Sequence, residues 1–265
     1  MGKLTTVVLA LSLFSVPALA ADERKDLAKK LANPIASLIS VPSQLTYDEK
    51  IGPEEDGSVL QLNILPVIPF TLGEDWNLIS RTILPLIAQE DIPVKGEDEF
   101  GLGDILQSFF FSPSTVPESG WIWGAGPVLL LPTASEDVLG AEQWAVGPTA
   151  VALKQKGPWT AGALVNQLWS VAGEDDRDDV NSTYCEPWIS YVTKTDITIS
   201  LSAESTYDWE SSELSLPVNF IVDQMLSIGG QYVQVGGAVR YWADSPDDGP
   251  EGFGFRLQVT FLFPK

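Results

Sequence analysis

The sequence predicts an all-β protein, a transmembrane antiparallel β-barrel of about twelve strands that follows a short N-terminal helix. Three observations predict it: a two-faced final strand, loops that alternate between acidic and weakly charged, and tryptophans near strand ends. In residues 253–263 all six odd positions are apolar and four of them are Phe, whereas positions 254, 256, 258 and 260 are Gly, Arg, Gln and Thr. Strand side chains alternate between two faces, so this strand has one face suited to lipid.

The first 20 residues have the pattern of a signal peptide. Lys3 precedes an apolar run over residues 7–16, and Ala18-Leu19-Ala20 is a small-x-small cleavage site. An N-terminal membrane anchor is the alternative, but the run is short for a spanning helix. No later stretch approaches the ~20 apolar residues of a membrane helix, so any later crossing must use strands. Export through a cleaved signal peptide to the cell outer membrane is therefore predicted.

Residues 21–39 are predicted to form an N-terminal periplasmic helical segment, and residues 40–265 the outer-membrane barrel. Apolar residues recur at helical spacing from Leu27 to Leu38, within a predicted helix over residues 22–40. Asn33-Pro34 predicts a kink or a division of this helix, because proline lacks an N–H group. The segment would be a periplasmic cap, a plug in the barrel or a tether.

Twelve strands are predicted, an even number that returns both ends of the barrel to the same side. Pro66, Pro69 and Pro85 lie where a ladder N–H is expected, which leaves the register there open. The predicted strands cover residues 40–47, 58–69, 76–88, 101–111, 121–131, 143–154, 158–170, 183–192, 196–207, 214–226, 231–242 and 253–263.

Charge separates the connections into two classes that alternate along the chain. The acidic loops contain 25 Asp and Glu residues against three Lys and Arg, and they cover residues 48–57, 89–100, 132–142, 171–182, 208–213 and 243–252. The weakly charged turns cover residues 71–75, 112–120, 155–157, 193–195 and 227–230. Successive connections of an antiparallel barrel lie at opposite ends, so the negative charge is predicted to collect at one end, the exterior one.

Strand faces and tryptophans support the same geometry. Polar residues alternate with apolar ones in 197–207 and 231–242, the pattern of a barrel with a polar interior. Tryptophans favour membrane interfaces. One predicted belt holds Trp76, Trp121, Trp123 and Trp159 near the short turns, and the other holds Trp144, Trp169, Trp209 and Trp242 near the acidic loops; Trp188 alone is mid-strand.

Composition excludes several function classes. The chain has no His and one Cys, so it has no Ser-His hydrolase site, no His-ligated zinc and no disulfide framework. Its strongly acidic balance argues against nucleic acid as a partner. No two acids have the fixed spacing that glycosidase chemistry would require. We therefore expect no enzymatic activity and no cofactor.

Four segments resemble the bacterial outer-membrane barrel family named for the meta-pathway of phenol degradation. They are DWNLISRT at 75–82, GPTAV at 147–151, STYDWE at 205–210 and RYWADSP at 240–246. The resemblance implies a transporter-like outer-membrane barrel and uptake of aromatic compounds; it implies no catalytic residue. The chain departs from the common outer-membrane ending in that Pro264 and Lys265 follow the last aromatic residue, Phe263.

Seven ionisable residues are predicted to point into the lumen: Arg81, Asp104, Glu186, Glu204, Asp223, Arg240 and Arg256. Unpaired charges are costly in a confined space, so these residues are expected to pair. They would either fill a closed lumen or line a solute-selective pore. Asp175, Asp176, Asp178 and Asp179 are weak external metal ligands, since their spacing is not that of a calcium loop. A solvated, flexible loop is the favoured interpretation of this run.

The first function hypothesis is a channel or transporter-like barrel for small solutes, hydrophobic or aromatic ones included. The alternative is a closed-lumen structural or surface-interaction protein that acts through its acidic loops. The expected partners are outer-membrane lipid and lipopolysaccharide, which divalent cations would bridge to the acidic loops, and the barrel-assembly machinery.

Overall fold

The computed structural model describes residues 18–93 and 95–264. The predicted signal peptide lies outside these residues except for 18–20, which begin a helix. In chain order the elements are α1 (Ala18–Leu31), β1 (Ile39–Ile51), β2 (Gly57–Ile64), β3 (Val67–Leu72), β4 (Trp76–Glu90), β5 (Glu99–Leu102), β6 (Ile105–Pro113), β7 (Trp121–Leu131), a 3-10 turn (Asp137–Leu139), β8 (Gln143–Lys156), β9 (Trp159–Gly173), β10 (Asn181–Val192), β11 (Ile197–Ala203), β12 (Ser205–Asp208), β13 (Glu213–Ile228), β14 (Gln231–Asp244) and β15 (Gly252–Phe263).

The strands form one closed antiparallel barrel. The first strand, β1, pairs with the last, β15, through nine residue pairs from Ile39↔Phe263 to Tyr47↔Phe255. The other strands pair antiparallel in sequence order around the wall, apart from pairs of short strands that follow each other in line. Three wall positions are each occupied by two short strands in line, β2 with β3, β5 with β6 and β11 with β12, so the wall has twelve positions. The predicted twelve-stranded barrel is confirmed.

Each of the three interruptions in the wall lies at or opposite a proline. Pro66 itself separates β2 from β3, and Gly103, between β5 and β6, lies opposite Pro85 and donates its N–H to the Pro85 carbonyl at 2.9 Å. Glu204, between β11 and β12, donates in the same way to Pro217 at 3.0 Å. Proline has no N–H group, so it can accept a hydrogen bond from the neighbouring strand but cannot donate one, and the regular ladder is interrupted at each point.

The six acidic loops lie together at one rim of the barrel. Contacts join them around that rim: Lys95 pairs with Asp56 at 2.8 Å, Arg177 with Glu142 at 3.1 Å, and the Gly52 N–H donates to Asp248. The Lys95 ammonium group lowers the pKa of the Asp56 carboxyl by hydrogen bonding to it. We call this end the acidic rim and the opposite end, which carries the short turns, the turn rim.

The outer wall is apolar and carries tryptophans near both rims. Seven of the nine tryptophans are exposed on the outside, whereas Trp188 and Trp242 are half-buried. Trp242 shares a face with Arg240, and its indole N–H donates to Asp48 Oδ1 at 2.8 Å inside the barrel. Its predicted place in the outer belt is therefore wrong, because side-chain alternation in β14 turns it inward.

The N-terminal segment, residues 18–38, packs into the barrel at the turn rim. Leu27 and Leu38 are buried against Met225 and Leu262, while Ile35 is buried with Phe110 and other inward residues. The helix ends at Leu31, short of the predicted residue 40. Asn33 Oδ1 accepts the Ile35 N–H at 3.1 Å, forming a turn at Asn33-Pro34 that divides the segment. Within the described ranges, no helix combines the length and apolar character needed to cross a bilayer.

Candidate functional site: the barrel lumen

Four charged side chains form a cluster on the inner wall near the acidic rim. Glu204 accepts from Arg256 Nη1 at 2.7 Å and Nη2 at 3.0 Å, and from Arg240 Nη1 at 2.8 Å. Arg240 Nε lies 3.4 Å from Asp48 Oδ1. All four side chains are at most 19% exposed. Two acids and two bases cancel, which is the condition for holding charges out of water.

The cluster ties together distant parts of the sequence. Asp48 comes from β1, Glu204 from the interruption between β11 and β12, and the arginines from β14 and β15. The proline interruption thus places Glu204 where two arginines converge. These positions extend over five neighbouring wall positions, from β12 through β13, β14 and β15 to β1. Bidentate contact of Arg256 with Glu204 fixes the planar groups in orientation as well as distance.

Asp48 and Trp242 complete the cluster and were not among the predicted lumen residues. Asp48 was assigned to an external loop, but β1 continues to Ile51 and keeps Asp48 on the face of Gln44 and Thr46. Thr46 Oγ1 also accepts from Arg256 Nε at 3.0 Å. The alternation of polar residues at 44, 46 and 48 is a sequence signal that would have found Asp48.

A chamber of about 240 Å³ lies between the inner wall and the N-terminal segment. The N-terminal segment lines it with Leu31, Ala36 and Leu38, and the wall contributes Leu164, Trp188 and Ile221 among other residues. Polar lining comes from Arg81, Glu186 and serines at 190, 200 and 202. The chamber is therefore an amphipathic space bounded by both parts of the chain.

Arg81 and Glu186 both line this chamber but are not bonded to each other. Glu186 Oε2 accepts the Tyr184 hydroxyl at 3.0 Å. The Arg81 guanidinium makes no hydrogen bond or ion pair within residues 18–93 and 95–264. Direct ion pairs therefore form at Arg240 and Arg256, whereas Arg81 interacts with the Glu186 carboxylate only at longer range, without a hydrogen bond or an ion-pair contact.

The two remaining predicted residues lie apart. Asp223 is buried, and its Oδ1 accepts Gln258 Nε2 at 2.7 Å; the neighbouring Gly236 has no room for a Cβ because this carboxylate occupies the space. Asp104 does not join the lumen charges: its carboxylate accepts the backbone N–H groups of residues 133, 134 and 141 at 2.7–3.1 Å. The pairing of β4 shifts by one residue between β5 and β6, and this takes Asp104 out of the predicted alternation.

The external aspartates at 175, 176, 178 and 179 follow β9 in the acidic rim. Among the residues that the structure describes, no three or more His, Cys, Asp or Glu side chains are grouped to hold a metal ion. Arg177, in the middle of this run, instead turns to the neighbouring loop and donates to the Gly140 carbonyl at 2.6 Å. Metal binding by this loop stays a prediction.

Comparison with known proteins identifies relatives of the fold. No protein-family model and no curated protein matches the chain. An outer membrane channel from Pseudomonas putida F1 is similar over 85% of this chain and 94% of its own, at 14% identity and a TM-score of 0.66. Outer membrane phospholipase A from Escherichia coli is similar over 85% of this chain and 90% of its own, at 13% identity and a TM-score of 0.50. The Salmonella typhi outer membrane phospholipase dimer with bound calcium is similar over 90% of this chain and 98% of its own, at 12% identity and a TM-score of 0.50.

The structural similarity establishes a shared outer-membrane-type barrel fold, and at these low identities it establishes nothing finer. One such barrel is a channel and another is an enzyme, so the function of this chain has to be argued from its own lumen.

Proposed function

We propose that this protein is an outer-membrane channel through which small solutes, hydrophobic or aromatic ones included, pass along the lumen. The observation that carries the proposal is the chamber of about 240 Å³ inside the barrel, since a purely structural lumen would be filled by side chains. Its mixed lining suits solutes with an apolar body and a polar group. The apolar outer wall and its tryptophans support a membrane location, where lipid, lipopolysaccharide and the barrel-assembly machinery would be partners.

The N-terminal segment is the proposed plug of this channel. Its apolar side chains contact inward residues of the wall, Gln155 Nε2 donates to the Lys29 carbonyl at 2.8 Å, and Arg24 Nε pairs with Asp196 at 2.9 Å. None of these contacts is part of the strand pairing that closes the barrel. Movement of the segment would open the chamber toward the turn rim.

Truncation tests both proposals in a planar bilayer. The protein starting at Ala21 is expected to give rare or small conductance steps, whereas a version starting at Ser40 is expected to give steps several times larger or more frequent. The reason is that the truncation removes residues 21–38 from the lumen. Equal steps in both would contradict the plug, and no steps in either would contradict the channel in favour of a closed barrel.

We propose no enzymatic activity for this chain. The sequence contains no His, so a Ser-His nucleophile of the kind that activates many hydrolases is not available. Fatty-acid release from phospholipid vesicles by the purified protein would contradict this proposal.

A further inference from the structure

We propose that the chamber is a binding site for a small organic acid, with its carboxylate on Arg81 and its apolar body against Trp188 and Leu38. This inference deepens the proposed function by naming the solute class that the same lumen would take.

The Arg81 guanidinium supplies the first argument. It lines the chamber and makes no hydrogen bond or ion-pair contact within the described residues, although its charge interacts at longer range with Glu186 of the same lining. The other lumen arginines, Arg240 and Arg256, are both held by Glu204. A guanidinium has five N–H donors in a planar fork that matches a carboxylate through two parallel bonds. Arg81 is thus the inward arginine left with its donors available to a ligand.

The rest of the lining defines the body of the ligand. Leu38 from the N-terminal segment and Leu164, Trp188 and Ile221 from the wall present apolar surface to the same space. A volume of about 240 Å³ is below the ~300–1,000 Å³ typical of drug-sized ligands. The site therefore fits a compact acid with one aliphatic chain or one ring.

Unsatisfied polar groups at the chamber wall supply an independent argument. Ser202 Oγ is buried at the chamber and has no hydrogen-bond partner within the described part of the chain. Glu186 Oε2 accepts from Tyr184, and no donor from the described residues reaches Oε1. Buried polar groups are normally paired, and an unpaired one marks a place where a ligand or water bonds. A hydroxyl or amino substituent on the acid would find partners at these two positions.

The test is a binding titration of the mature protein in detergent, with benzoate and hexanoate as probes. Benzamide and hexanamide serve as neutral matches of the same shape. The variant is Arg81→Gln, and its control is Arg177→Gln, which removes an arginine from the acidic rim outside the chamber. A heat-dependent shift in gel mobility establishes that each variant is folded.

We expect the carboxylates to bind wild type and Arg177→Gln with equal affinity, and Arg81→Gln about tenfold or more weakly, because a charged hydrogen bond is lost. The amides should bind wild type more weakly than the acids and be insensitive to Arg81→Gln. The proposal is overturned if folded wild type binds neither acid, if acids and amides bind alike, or if Arg81→Gln leaves acid binding unchanged.

This titration is separable from the conductance test. Loss of the site with conductance steps intact would refute the organic-acid site and leave the channel standing. Acid binding that depends on Arg81, in a protein that gives no conductance steps, would support the organic-acid site and refute the channel.

Discussion

At the scale of single residues, Glu204 is the central acid of the lumen. It bonds three N–H groups of Arg240 and Arg256, and its side chain is 19% exposed. Removing one member of such a network leaves the opposite charges buried and unpaired, which costs more than the pair itself contributes. Asp48 compensates part of the charge on Arg240 but none on Arg256.

Glu204→Gln is therefore expected to lower the free energy of unfolding by about 3–5 kcal/mol. The measurement is urea unfolding followed by tryptophan fluorescence. A matched control is Glu118→Gln, since Glu118 is exposed in the turn rim and its side chain makes no hydrogen bond or ion pair within the described residues. Equal stability of the two variants would show that the cluster does not hold the wall together.

Glu204→Gln is also expected to change the ion selectivity of the channel. It changes the lumen charge by one unit, so the reversal potential in a salt gradient should move toward anion selectivity relative to Glu118→Gln.

At the scale of elements, the N-terminal segment contacts the barrel wall both through α1 and through the residues that follow it, Ile35 and Leu38. The Arg24–Asp196 pair is shielded, with side-chain exposures of 12% and 5%, and it connects the helix to the turn between β10 and β11. The other contacts include the hydrogen bond from Gln155 to the Lys29 carbonyl and apolar packing around Leu27 and Leu38. Because this turn is part of the barrel wall, the Arg24–Asp196 ion pair attaches the proposed plug to the wall.

Arg24→Gln is expected to raise the open fraction of the channel several-fold, because it weakens the plug in its docked state without touching the lumen wall. Single-channel recording measures this fraction. Lys25→Gln is the matched control, since Lys25 is exposed on the same helix. An equal open fraction in the Arg24→Gln and Lys25→Gln variants would show that the Arg24–Asp196 ion pair does not keep the plug docked.

At the scale of the whole molecule, the barrel is closed by β1 and β15, and its charge is strongly polarised. Pairing of the two chain-terminal strands leaves no sheet edge exposed, which is the condition for a sheet to lie in lipid. The acids of the acidic loops lie at one rim, with Asp48 pointing into the lumen, so the membrane band between the rims carries few charges on its outer face.

A closed barrel of this kind is expected to resist detergent without heating. On a denaturing gel the unboiled protein should migrate differently from the boiled protein, because the intact barrel binds less detergent and stays compact. Identical migration of folded and boiled samples would be evidence against the barrel.

Much of this fold was determined by the sequence. Period-two alternation in residues 253–263 and 231–242, the alternation of acidic and weakly charged connections, and the predicted twelve strands all recur in the structure. These features are local, because strand faces and turns depend on neighbouring residues. The prolines at 66 and 85 were also recognised as irregular positions, although only the structure shows that the wall is interrupted at or opposite them.

Tertiary structure decided which inward side chains meet. Alternation gives the face of a side chain but not its height along the barrel or its partner across several strands. For that reason Asp48 and Trp242 join Arg240, Asp104 is bound by a loop, and Arg81 lies beside the chamber with no hydrogen bond or ion-pair contact in the described part of the chain. The chamber itself depends on residues 18–38 folding back into the lumen, a long-range contact that no pattern within those residues specifies.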